Sequence, residues 1–156
     1  MLTAAERDSL IGKIEALPDQ LEALISPATD AQLLTPYKPG GWNSRQVVHH
    51  LADSHMNAYI RSKLILTEDN PPLKPYDQDA WAALADGGTG PLATSLDILR
   101  GLHARWAAFF RALPEDAWTR AGLHPENGPM TLERILIAYT THGEAHLGHI
   151  RLGLGL

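Results

Sequence analysis

TLERILIAYTTHGEAHLGHIRL, residues 131–152, decides how this chain is read. Leu132, Ile135, Tyr139, His142, His146, His149 and Gly153 alternate at spacings of three and four, which places them on one face of an α-helix. Halfway along, that face changes from aliphatic and aromatic residues to three successive histidines. An imidazole is a poor core residue by itself. Both ring nitrogens need partners once buried, and an unpaired polar group costs roughly 1–3 kcal/mol. A metal ion takes one nitrogen of each ring and leaves the other to an outer acceptor. His142 and His146 stand four residues apart and project from one face a turn apart, the spacing of a two-histidine metal clip. Glu144 lies two residues after His142, about 200° around the helix, and faces away from such an ion. The segment is therefore not a zincin motif, and Glu144 is a poor general base. His149, a turn beyond, is a fourth ligand, a proton shuttle or the outer partner of a ligand.

Working outward, the chain reads as three further long helices. Thr3 with Glu6 forms a capping box, and Leu10, Ile14, Leu17, Leu21 and Leu24 continue a helix over about residues 3–26. Pro18 should kink or briefly interrupt it, because proline lacks the backbone donor and its ring clashes with the preceding turn. Residues 26–42, rich in Pro, Gly and Thr, form a connection with one short helical turn at 31–34. A second helix opens on Asn43 as N-cap, with Gln46 at N3, and runs to about Thr67. Its apolar residues occupy more than one face, as in a largely buried helix. A proline-punctuated excursion follows, with a short helix expected over 77–85; excursions of this length often serve as lids or partner surfaces. Leu96, Leu99, His103, Trp106, Phe110 and Leu113 mark a third helix, which Pro114 ends. AGLHPENGP reads as turns, and no run reads as a convincing strand. The expected fold is all-α: an antiparallel four-helix bundle with a crossover connection, forming one domain over residues 1–156.

Composition narrows the functional classes. The chain carries 13 Lys and Arg against 18 Asp and Glu, a net charge of −5, which argues against general affinity for nucleic acid or anionic membrane. The absence of cysteine excludes disulfides, a thiolate nucleophile and thiolate zinc sites, so a metal must rely on histidine and carboxylate. Neither a signal-peptide pattern nor a run of about 20 apolar residues is present, and the expected location is the cytoplasm.

A third ligand should come from a facing helix, and the second helix offers His49, His50 and His55. His50 shares the arc of Val47 and Leu51, His49 is turned about 100° from it, and His55 lies on the stripe of Val48 and Leu51. Periodicity leaves the three open. Asp53, three residues after His50, either orients an imidazole or acts on bound water, or is simply an exposed helix charge. His103 reads as a hydrogen-bonded core residue, and His124 as a solvated loop residue. Trp81, Trp106, Trp118 and Phe110 read as core or pocket-wall aromatics, and Trp42 with Gly40 and Gly41 as an anchor for the start of the second helix.

GGWNSRQVVHHLADSHMNAYIRSKL, PPLKPYDQDAW, LHARW and THGEAHLGHI, in this order, resemble the YfiT group of the DinB-like superfamily. The resemblance implies a four-helix bundle with a crossover, often a homodimer, holding nickel or zinc through three histidines and classed with metal-dependent hydrolases. By position its ligands fall on His50, eight residues after the tryptophan of the GGW motif, and on His142 and His146. Related branches transfer or isomerise groups using low-molecular-weight thiols such as bacillithiol. The expected activity is thus metal-dependent hydrolysis of a small molecule. A thiol S-transferase acting on electrophiles is the alternative, and a metal-binding stress protein without turnover is a third. Ala145 and Thr141 stand where the family often has a second histidine and an aromatic, a difference that bears on pocket shape.

Overall fold

The computed structural model describes all 156 residues. Four long helices, α1 (Ala4–Ile25), α3 (Ser44–Thr67), α6 (Leu92–Arg111) and α7 (Leu132–Leu154), carry the core. Short helices α2 (Asp30–Leu33), α4 (Gln78–Ala82) and α5 (Ala85–Thr89) lie in the connections. A 3-10 turn (Glu115–Thr119) and two strands, β1 (Ala121–His124) and β2 (Gly128–Thr131), join α6 to α7. No helix is long and apolar enough to cross a membrane.

The helix starts follow from local chemistry. Thr3 and Glu6 cap α1, and Asn43 and Gln46 cap α3, through reciprocal side-chain to backbone bonds. Asn43 Oδ1 accepts the Gln46 N–H at 2.9 Å, while Gln46 Oε1 accepts the Asn43 N–H at 3.1 Å. Asn43→Ala removes the first bond and should lower stability by about 1 kcal/mol in urea denaturation, with the long helices otherwise retained. Pro18 does not interrupt α1, which is continuous from residue 4 to 25. Its buried position in the helix leaves the Ile14 carbonyl without the usual donor four residues on.

Neighbouring helices are identified by what they share. α1 packs on α6 and α7, and α3 packs on the same two, so α1 and α3 stand diagonally across the bundle. Arg7 to Glu133 and Lys13 to Glu144 show α1 and α7 running parallel. Glu15 to Arg111 and Glu22 to Arg100 show α1 and α6 running antiparallel. His49 meets Ser95, His55 meets His103 and Ser62 meets Trp106, so α3 and α6 are parallel neighbours. Parallel neighbours require the chain to return along the bundle, about 36 Å for a helix of this length, and the stretch after α3 makes that crossover.

The expected turn region contains a hairpin. Ala121 pairs with Thr131 and His124 with Gly128, antiparallel, while Leu123 also bonds Leu73 in the crossover. Each strand has four residues, too few for alternation to announce them. The expected helix at 77–85 is two shorter ones, parted at Ala83 and Leu84.

The core has two halves. One gathers Ile11, Ile14, Ile65, Trp106, Phe110, Trp118, Ile135 and Leu136; the other Leu17, Leu21, Val47, Val48, Leu51, Leu99, Leu147 and Ile150. Between them, at the level where α1 passes from Ile14 to Leu17, lies a layer of histidines from α3, α6 and α7.

Candidate metal centre

α3 and α7 are antiparallel, which sets His50 opposite His142 and His146. The Nε2 atoms of His50 and His146 each lie 3.2 Å from Nε2 of His142, and one nitrogen from each ring falls within 4.8 Å of the other two. Two nitrogens held at about 2.0–2.1 Å by one tetrahedral zinc ion lie about 3.3–3.4 Å apart, so these rings fit a shared divalent ion. Burial pushes His50 and His146 down to about 3 and His142 down to about 4, with their neighbouring rings adding to the effect. At neutral pH all three are uncharged and can offer lone pairs.

The other histidines occupy different places. His149 stacks on Tyr37 with centroids 4.2 Å apart, and its Nδ1 lies 3.3 Å from Nδ1 of His146. It meets His146 at the nitrogen turned away from the triad, the place of an outer partner. His49 bonds Ser95 Oγ at 2.8 Å and the Gly90 carbonyl at 3.1 Å, and so ties α3 to α6. His55 lies between His142 and His103. His124 is not solvated: it is 6% exposed, and its Nδ1 accepts the backbone N–H groups of Glu126 and Asn127. This asparagine-containing turn folds back over the ring, which a reading from turn residues alone does not show.

The carboxylates separate in the same way. Glu144 is exposed and paired with Lys13 at 2.7 Å, facing away as its helical position requires. Asp53 is half-buried, and its carboxyl is raised by burial and by the charge of Asp86; none of the hydrogen bonds made by the triad rings goes to it. Trp42 does more than anchor α3, since its ring lies 4.6 Å from that of His50 and parallel to that of His146. Trp81 is 39% exposed and packs on Tyr76 instead of the core.

His142 borders two cavities. One, of about 210 Å³, is lined mainly by Leu73, Met130, Ile135, Ala138 and Tyr139, with Arg61, His124 and Asn127 as its polar members. The other, of about 490 Å³, reaches His146 and His149 and is walled by Tyr37, Lys38, Trp42, Gln78 and Asp79. Asp79 and Arg61 were not apparent as site residues in the sequence, although both lie in the stretches that carry the family resemblance.

The sequence pattern of the DinB superfamily matches residues 13–150. The chain belongs to the DinB superfamily. Among curated members, YfiT of Bacillus subtilis (strain 168) is 45% identical over 150 residues, covering 96% of this chain and 84% of the relative. The solved structure of that protein, described as "a probable metal-dependent hydrolase with an unusual four-helix bundle topology", superposes with a TM-score of 0.94 at 44% identity over 96% of this chain and 86% of its own. The mycothiol-dependent maleylpyruvate isomerase shares the fold at TM-score 0.74 and 18% identity, over 96% of this chain and 61% of its own. For this DinB superfamily member, then, bundle and triad agree with a relative whose description includes a metal.

Proposed function

We propose that the protein is a metal-dependent hydrolase of a small molecule, with a divalent ion, nickel or zinc, held by His50, His142 and His146. The convergence of three uncharged Nε2 atoms, one from the buried His50 and two from the half-buried His142 and His146, carries this reading. Three protein ligands rather than four leave an ion open to water or substrate, as in catalytic zinc sites. A bound ion of this kind lowers the pKa of its water and polarises a carbonyl oxygen. The chain's own residues supply the rest. Trp42 packs on the His50 ring and walls the larger cavity, which offers Asp79 and His149 as groups able to accept or return a proton. In the smaller cavity, apolar walls and the Arg61 guanidinium suit a substrate with an apolar body and an oxygen carrying negative charge.

The presence of two cavities at His142 favours one second reading: transfer of a low-molecular-weight thiol, such as bacillithiol, to an electrophile. Such a reaction brings two molecules to one ion, whereas hydrolysis needs one molecule and water. Protein purified without an affinity tag should contain about one equivalent of metal. A panel of esters and amides should be hydrolysed, with activity lost to chelator and restored by zinc or nickel. Electrophile consumption only in the presence of a thiol, with no ester or amide turned over, would replace the hydrolase reading by the transferase one. Protein without metal that binds none on titration would sink both.

A further inference from the structure

Pro18 and the histidine layer belong to one device. The Ile14 carbonyl has no donor in its own helix because residue 18 is proline. His103 Nδ1 lies 2.5 Å from that oxygen. A carbonyl oxygen only accepts, so this nitrogen must carry the proton. In a neutral ring, His103 Nε2 is then a lone pair, and it lies 2.9 Å from Nδ1 of His55, with the two ring planes within 7° of parallel. His55 must therefore donate from Nδ1, which makes its Nε2 an acceptor. That atom lies 3.1 Å from Nδ1 of His142, so His142 in turn donates from Nδ1. What remains to His142 is an unprotonated Nε2, the atom that faces Nε2 of both His50 and His146.

We infer that His103 and His55 are positioning residues that pass a fixed hydrogen-bond direction from the Ile14 carbonyl to His142, so that His142 presents a lone pair to the ion. The inference rests on the proposed three-histidine ion site. Its premise that the rings are neutral agrees with their surroundings: His55 and His103 are fully buried, and the groups their nitrogens meet are other imidazoles and a backbone carbonyl, with no carboxylate to hold a positive charge. Two alternatives to the direction described are disfavoured by the same geometry. Reversing His103 would set two acceptors against each other at Ile14, and reversing His55 alone would set two N–H groups against each other at His142.

Two variants and one spectrum test this. His103→Leu fills the volume but removes both hydrogen bonds, freeing His55 to reverse and His142 with it. His103→Gln can still donate to Ile14 and accept from His55. Zinc titration against a competing chelator should show His103→Leu weakened about 10–100-fold, the usual effect of losing an outer partner, with His103→Gln close to wild type. In wild type, long-range ¹H–¹⁵N spectra of the imidazoles, recorded with and without zinc, should show His103, His55 and His142 protonated at Nδ1. Protonation of His103 or His55 at Nε2 would overturn the inference, as would a folded His103→Leu protein with wild-type zinc affinity. If wild type binds no zinc, the proposed ion site fails, and the spectrum of the metal-free protein still decides the direction of the chain. If His103→Leu does not fold, the wild-type spectrum and the glutamine variant decide it.

Discussion

His50→Ala should bind zinc or nickel more than about a hundredfold more weakly than wild type, because an outer partner alone is worth up to that factor. His50 is 4% exposed, and its Nε2 supplies the only protein nitrogen from α3 in the triad. Its loss leaves a pair on α7, too few to hold an ion in the proposed manner. His49→Ala is the informative control. His49 is one residue away and equally buried, but its partners are Ser95 and the Gly90 carbonyl. Its removal should destabilise the fold by roughly 1–3 kcal/mol, the usual penalty for partners left unpaired, and leave about one equivalent of metal in place. Metal content and zinc titration of both variants, with melting in chelator to confirm folding, provide the check. Equal retention of metal by the two would sink the assignment of His50.

The contrast between these adjacent histidines also explains how much of the site could be read in the sequence. His142 and His146 were legible because α7 has one inward face and the two lie on it a turn apart. His50 was not separable from His49 and His55 by periodicity, because α3 is enclosed by α6 and α7 and by the short helices of the crossover, and all three histidines are buried. The family resemblance selected His50, and the structure brings it to the pair. The bundle itself followed from three-four spacing and capping residues. The order and direction of its helices did not, since they depend on partners far apart in the chain, such as Ser62 with Trp106 and Arg7 with Glu133. Pro18 is the sharpest case. Alone it predicts a break, but the helix continues, with the freed carbonyl bonded to a ring 89 residues away.

The same buried layer should make the metal-free protein sensitive to mild acid. A free histidine titrates near 6.5. Burial lowers His50 and His146 to about 3, His103 and His142 to about 4, and His55 below the usual range. Above pH 6.5 these rings are neutral in both states, and stability is at its full value. Below that, the unfolded chain takes up protons that the folded chain refuses, so stability falls until pH reaches the folded-state values. Each ring contributes about 1.4 kcal/mol per pH unit over this window. With five rings the slope approaches roughly 7 kcal/mol per pH unit, set against a total of about 5–15 kcal/mol for an ordinary domain. Circular dichroism in the presence of chelator should therefore record cooperative unfolding between about pH 6 and 4.5. Zinc held by the proposed triad would bind only the folded, neutral form and should move the transition to lower pH by mass action. His103→Gln removes one of the five titrating rings and should make the acid transition shallower. Metal-free protein that stays folded down to pH 4 would mean that the rings accept protons in place, contrary to a histidine layer kept neutral by burial.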